Sequence, residues 1–259
     1  MRQLERLIDD VAVLGQFLRG MPRSNSHAER LQAFYAPQAD RYDAFRDRLL
    51  PGRRELIELL RPAPGARIVE VGAGTGRNLA YFGAAIPSFS SVELVDLCPA
   101  LLERARMRAV GRPNVRVVEA DAVSYRPALP VDCVYFSFAL TMIPDWRAAL
   151  ANAVDMLRPG GQLGVVDFYV TPPPPSQRPT RDSALSRWFW RSWFAHDGVH
   201  LNAEHLPALC CLLPIHQVIE GRTPIPYLPG LRAPYFVFVN RSRLTRADRK
   251  KSACPSPAS

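Results

Sequence analysis

Apolar Leu4, Leu7, Ile8, Val11, Leu14, Leu18 and Met21 recur at steps of three and four residues, the spacing of an amphipathic helix. Its polar side mixes Glu5, Arg6, Asp9, Asp10 and Arg19. Helices that lie in a membrane surface carry a strongly basic polar face, so this mixed face predicts packing on the body of the protein or on a second copy of the chain. After a loop over residues 22–26, the segment 27–60 predicts helices broken near Pro37 and Pro51, because proline lacks the amide hydrogen that a helix interior needs.

The period then changes. Arg67–Val71 is a short β-branched run, residues 72–76 form a glycine-rich turn and 77–85 a helix, which together make a first strand, loop and helix unit. Further strands are expected at Ser91–Asp96, Val115–Glu119, 132–137 and 162–168, with helices over 99–110 and 146–157. Strands alternating with helices at this spacing imply right-handed crossovers and a parallel sheet covered on both faces, an α/β doubly wound body. The alternation stops at the proline run 172–175. Beyond it lie an aromatic and arginine-rich stretch over 178–201, a short helix over 203–213, and two apolar segments at 217–220 and 235–240. Those two predict a closing hairpin at the sheet edge. The expected division is a helical extension over 1–60, the α/β body over 61–240 with an insertion at 172–202, and a basic, disordered tail over 241–259.

A chain of 259 residues, 47% hydrophobic and 22% charged, can bury a sizeable core without disulfides or metals. Cys98, Cys133, Cys210, Cys211 and Cys254 show neither CxxC nor Cys/His ligand spacing, so a reduced, cytoplasmic protein with no metal is expected. No run approaches the roughly 18 apolar residues that a membrane span needs, and the first residues have no signal-peptide core. The formal charge of +9 invites nucleic acid as a partner, but residues 241–259 carry +5 of it. That tail reads as a solubilising terminus or as a segment resting on anionic phospholipid. Lysine occurs only at Lys250 and Lys251, so P-loop, Schiff-base and kinase-type lysines are all missing from the folded body.

The candidate chemistry sits at the strand ends. In VEVGAGTG (69–76), Gly72 and Gly74 permit a tight turn close to a ligand, Gly76 lets helix and strand approach, and the helix start offers N–H groups. Position 77 is arginine, where the dinucleotide fingerprint would place glycine. Asp96 ends the second strand 20 residues after Gly76, where a carboxylate can accept both hydroxyls of a ribose. Asp121 and Ala122 follow the third strand, within reach of an adenine amino group. With Glu70, Asp96 and Asp121 in register, three loops converge on one nucleoside-shaped crevice.

These stretches resemble the class I, Rossmann-like S-adenosylmethionine-dependent methyltransferases. The matching elements are VEVGAGTGRN (69–78), the acid in VELVDLCP (92–99), EADA (119–122), FSFALTMIPDW (136–146) and LRPGGQL (157–163). The resemblance implies a seven-stranded, mostly parallel sheet with an antiparallel edge hairpin, an N-terminal lid, and S-adenosylmethionine as cofactor. It implies a cofactor site of Glu70, Gly72, Ala73, Gly74, Thr75, Asn78, Asp96, Leu97, Asp121, Ala122, Ser137 and Phe138. Gly72, Gly74 and Thr75 are then expected to line the methionine and ribose, Asp96 to take the ribose hydroxyls, and Ser137 and Phe138 to lie beneath the sulfonium.

Three more blocks, FYAPQADRYDAFRDRLLPGR (34–53), WFWRSWFAHDGVHL (188–201) and IPYLPGLRAPYFVFV (225–239), resemble the diacylglyceryl-homoserine N-methyltransferases of bacterial betaine-lipid synthesis. That resemblance implies trimethylation of a lipid headgroup amine by an enzyme held peripherally on the anionic inner face of the cell membrane, with no nucleic-acid partner. An amine must be neutral to attack the sulfonium methyl. Tyr42, His196, Asp197 and His200 are the candidate proton acceptors, and Tyr35, which precedes the first strand with Tyr42 where this fold places a lid across the cofactor, joins them as a catalytic candidate. Trp188, Phe189, Trp190, Trp193 and Phe194 offer rings to surround a quaternary ammonium, to lie at headgroup level, or to pack the core. Arg178, Arg181, Arg187 and Arg191 beside them suit a carboxylate or a phosphate-rich surface. The rival readings are a soluble amine or a quinone as acceptor, and a non-catalytic cofactor-binding partner that docks through residues 4–21.

Overall fold

The computed structural model describes residues 21–22, 26–38, 47, 49–171, 183–225 and 230–240. Residues 4–20, Tyr42, Arg178, Arg181 and the tail 241–259 lie outside them. Helices α1 (His27–Tyr35) and α2 (Arg53–Leu60) precede the sheet. The body then runs through β1 (Arg67–Val71), α3 (Leu79–Phe82), β2 (Ser91–Asp96), α4 (Pro99–Ala109), β3 (Val115–Glu119), β4 (Val131–Ser137), α5 (Trp146–Met156) and β5 (Leu157–Phe168). It closes with α6 (Ala184–Ala195), α7 (His205–Leu212), β6 (His216–Pro224) and β7 (Arg232–Asn240).

The strands form one sheet in the order β3-β2-β1-β4-β5-β7-β6. The first five are parallel, and β7 runs antiparallel to both β5 and β6. Helices cover both faces because successive side chains point to opposite sides. Ile68, Cys133, Tyr135 and Val237 pack with α2, α3 and α6 on one face. Val69, Val134, Phe136, Phe236 and Phe238 pack with α5 and α7 on the other.

The chain reverses direction across the sheet between β1 and β4, the topological switch point where doubly wound folds bind ligands. The register sets Val71 opposite both Val95 and Phe136, so the ends of β1, β2 and β4 open side by side. Two of the separated sequence blocks also meet here. A side chain at Gly52, where φ is +76°, would lie 2.9 Å from Val237 and 3.1 Å from Tyr235, so glycine lets the start of α2 sit directly on β7.

Three elements differ from expectation. The helix over 77–85 shrinks to α3, because Gly83 takes a φ of +52° and Pro87 follows in a 3-10 turn, Gly83–Ser88. Strand β5 starts at Leu157, not 162. Its Pro159-Gly160 reads locally as a turn but forms an irregularity in the ladder, with Val131 facing Leu157 and the register shifting before Cys133. The closing strands are longer than their apolar centres, and the link between them shortens to 225–231.

Candidate functional site

The loop after β1 is shaped by a carboxylate. Asp96, at the end of β2, accepts from the Gly74 N–H through Oδ2 at 2.7 Å and from the Cys98 N–H through Oδ1 at 2.8 Å. The Gly72 and Ala73 N–H groups donate to the Val95 carbonyl at 2.8 and 3.0 Å. Gly72 takes a φ of +70°, and a Cβ there would meet that of Ala139 at 2.3 Å. Glycine is thus required both by the backbone and by the close approach of the segment after β4. That segment begins at Phe138, a bulky residue at a φ of +53°, a conformation that persists only where its surroundings enforce it. The Phe138 N–H donates to the Val166 carbonyl at 2.8 Å.

A cavity of about 230 Å³ opens over these strand ends. Gly72, Gly74, Asp96, Leu97, Asp121, Ala122 and Phe138 line it, which brings together seven of the residues expected at a cofactor. The 121–125 turn is fixed from both sides: Asp121 Oδ1 accepts from the Val123 N–H at 2.9 Å, and Asn152 Nδ2 donates to the Ala122 and Tyr125 carbonyls at 2.7 and 3.0 Å. Glu70, Ala73, Thr75, Asn78 and Ser137 are buried and do not line the cavity.

Glu70 sits beneath the glycine loop, where its two oxygens accept from Asn78 Nδ2 at 2.6 Å and from the Tyr135 hydroxyl at 2.8 Å. Burial pushes its carboxyl up to about 7 against the pull of those hydrogen bonds. Asp167, near the end of β5, is handled alike. It is fully buried, accepts from the Thr141 N–H and hydroxyl at 3.1 and 2.9 Å, and is raised to about 7 by burial. It holds the turn Leu140–Met142 against the sheet.

One face of α1 covers the opening. His27, Leu31 and Tyr35, four residues apart, all line the cavity, and the Tyr35 hydroxyl donates to Met142 Sδ at 3.1 Å. Of the candidate catalytic residues, Tyr35 alone among the described residues lines the cavity. His196, Asp197 and His200 lie in the segment behind it, where the His200 N–H donates to the Thr141 carbonyl at 2.8 Å. Burial raises the Asp197 carboxyl to about 7, opposed by His196. The cavity gains His27 and Asp145, which the sequence reading passed over. Burial and Arg30 lower the His27 pKa against an upward pull from Asp121.

The aromatic cluster is divided. Trp190 and Phe194 are buried, with Phe194 4.8 Å from Phe168 and Phe168 4.8 Å from Phe138. Trp188 and Trp193 face outward, and no ring of α6 lines the cavity. The ring cage around an ammonium is therefore not built by this helix, whose inner rings pack the core instead.

Residues 68–161 match the family model described as a methyltransferase domain. The segment holds the glycine loop, Asp96, Asp121 and the β4 exit. Superposition on phosphoethanolamine N-methyltransferase 2 of Haemonchus contortus, solved with S-adenosyl-L-methionine, gives a TM-score of 0.63 at 15% identity over 83% of this chain and 60% of that one. The YcgJ protein of Bacillus subtilis gives 0.59 at 17% identity over 74% and 98%. The fold is that of the class I methyltransferases. Among curated relatives, the ubiquinone/menaquinone biosynthesis C-methyltransferase UbiE of Teredinibacter turnerae is 31% identical over 150 residues, 54% of this chain and 60% of its own length. The aklanonic acid methyltransferase DauC of Streptomyces sp. strain C5 is 30% identical over 117 residues, 44% and 53%. The chain thus spans about 60% of the length of the UbiE relative that it matches.

The Glu70 environment has a consequence for stability. Its pKa rises from 4.5 to about 7 on folding, so the native state holds a proton that the unfolded chain releases. The stability contributed is complete below pH 4.5 and is lost as pH rises through 7. Glu70→Gln keeps the shape without the charge. Relative to the parent, the variant is expected to gain up to about 3 kcal/mol on going from about pH 4 to about pH 8. Urea unfolding at both pH values tests this, and a difference that does not change with pH contradicts it.

Proposed function

We propose that this protein is an S-adenosylmethionine-dependent N-methyltransferase that converts the amino group of diacylglyceryl-homoserine to the trimethylated betaine. The observation that carries this reading is the charge of the cavity. Among the described residues its lining includes Asp96, Asp121 and Asp145 and no lysine or arginine, a wall that attracts cations and repels a pyrophosphate. A sulfonium cofactor and an amine acceptor both fit it. The cradle fits as well, since the space beside Gly72 is too tight for any Cβ, and the Asp96 carboxylate lines the cavity where ribose hydroxyls would lie.

When bound, the cofactor supplies a methyl group on a positively charged sulfur. The chain's own task is placement and water exclusion. Asp96 and Asp121 would hold the ribose and adenine, with Gly72 and Gly74 close along the rest. The α1 face of Leu31 and Tyr35 shuts water out, and the Tyr35 oxygen can accept from an acceptor N–H. His27, whose pKa burial and Arg30 depress, presents a basic nitrogen to the cavity, and the carboxylates of Asp121 and Asp145 lie on the same wall.

All three sequence blocks that carry the narrower resemblance lie outside the matched segment 68–161. The lipid-amine reading therefore rests on the sequence resemblance of those blocks, outside the segment that the family model matches. The likeness to UbiE supports a second one, in which a quinone ring is methylated on carbon. In either case Asp96→Ala should weaken S-adenosylmethionine binding by about 1.5 to 3 kcal/mol, the worth of hydrogen bonds to a charged group. Unchanged affinity by calorimetry would place the ribose elsewhere.

Mass spectrometry of lipids from a host carrying this gene, with and without an enzyme that makes diacylglyceryl-homoserine, separates the acceptors. The proposal predicts a lipid series heavier by three methyl-for-hydrogen replacements, dependent on both genes. A methylated quinone in place of that series selects the second reading. A chain that binds the cofactor and methylates neither is the non-catalytic partner.

A further inference from the structure

Helix α6 carries an outer face that the described residues leave exposed. Leu185 is 73% exposed, Trp188 65% and Trp193 42%. Leu185, Trp188 and Ser192 fall on one side of the helix by their three- and four-residue spacing, with Phe189 stacked on Trp193 at the flank. Residues 183–196 include Arg187 and Arg191 and no acid. The inner side is fastened: Trp190 and Phe194 are buried in the core, and Phe194 packs on Phe168, which packs on the cavity-lining Phe138. At the helix end, the Met21 N–H donates to the His196 carbonyl at 3.0 Å, and the Met21 side chain occupies the space where a Gly198 Cβ would stand, 2.4 Å from its Cε. Two residues on, His200 is tied to Thr141 beside the cavity wall.

We propose that α6 docks the protein on an anionic lipid bilayer through Leu185, Trp188 and Trp193, and that this docking presents the cavity to acceptors still seated in the membrane. The docking deepens the proposed function and rests on it for the identity of what is presented. Tryptophan flanked by arginine suits the headgroup level, where the ring is half solvated and the guanidinium meets phosphate. A helix with apolar residues outward and two arginines within its span complements a negative surface. The apolar patch is three side chains wide, far short of the roughly 800 Å² per partner that a stable protein interface buries. Because α6 is packed onto the cavity wall through Phe168 and Phe138, it orients the site as a rigid part of the body, not as a tether. A headgroup can then enter while its acyl chains stay in the bilayer.

The full chain contains four tryptophans; Trp146 and Trp190 are buried at 9% and 3% exposure, so Trp188 and Trp193 dominate any change in emission. Vesicles of phosphatidylglycerol and phosphatidylcholine are expected to blue-shift that emission and to sediment the protein, and pure phosphatidylcholine to do so weakly. The double change Leu185→Ser and Trp188→Ser should lower partitioning by about tenfold or more, with S-adenosylmethionine affinity unchanged as the check on folding. Arg187→Gln with Arg191→Gln should weaken binding at low salt and matter little at high salt. Partitioning unaffected by the Leu185 and Trp188 changes would overturn the proposal. So would binding that depends solely on residues 241–259, or a dimer in solution that the same changes dissolve. Vesicle binding that needs α6, in a protein that methylates no lipid, would leave the docking in place and remove the acceptor assignment.

Discussion

One carboxylate organises the site. By accepting from Gly74 on one side and Cys98 on the other, Asp96 joins the loop after β1 to the start of α4 and fixes the distance between two strand ends. The tight packing of Gly72 against Ala139 adds the third, from β4. The cavity exists because these three ends are held apart at the reversal of strand order, where no side chain from the sheet fills the gap. Removing the Asp96 carboxylate takes away an acceptor shared by two backbone donors at the cavity wall.

Two further acids act below this level. Glu70 and Asp167 are buried on the sheet, each with its oxygens engaged by neighbouring donors, and each supports a piece of the cavity wall from behind. Burial raises both pKa values toward neutrality, a cost in stability that the fold tolerates where it needs fixed loops. The lining acids Asp96, Asp121 and Asp145 differ, because they face the opening and set its sign.

Most of the sheet was legible in the sequence. Strands β1 and β2 lie inside the sheet and are buried over most of their length, so their apolar runs marked them, and the alternating VRVVE run marked β3 at the edge. The start of β5 was hidden by Pro159-Gly160, whose local turn preference is overridden by pairing with Val131. In the site, Gly72 and Asp96 could be read because their roles follow from position at a strand end. His27 could not, since its place depends on α1 packing on the start of α4 and on Met142, although His27, Leu31 and Tyr35 at four-residue steps already marked one helical face. His196, Asp197 and His200 were placed near the site because their segment was expected to fold over the strand ends; His200 acts electrostatically on the cavity-lining His27, and backbone hydrogen bonds tie the segment to Thr141 and Met21. Asp167, a lone acid in an apolar strand, was a signal of a buried partnership that went unused.

The acid-lined crevice over β1, β2 and β4 suits a cationic nucleoside and not a dinucleotide. Calorimetric titration of the unaltered chain with S-adenosylmethionine and, separately, with nicotinamide adenine dinucleotide tests that claim most directly. One S-adenosylmethionine per chain, with no saturable heat from the dinucleotide, is the predicted result. Saturable dinucleotide binding, or no binding of S-adenosylmethionine, would contradict it.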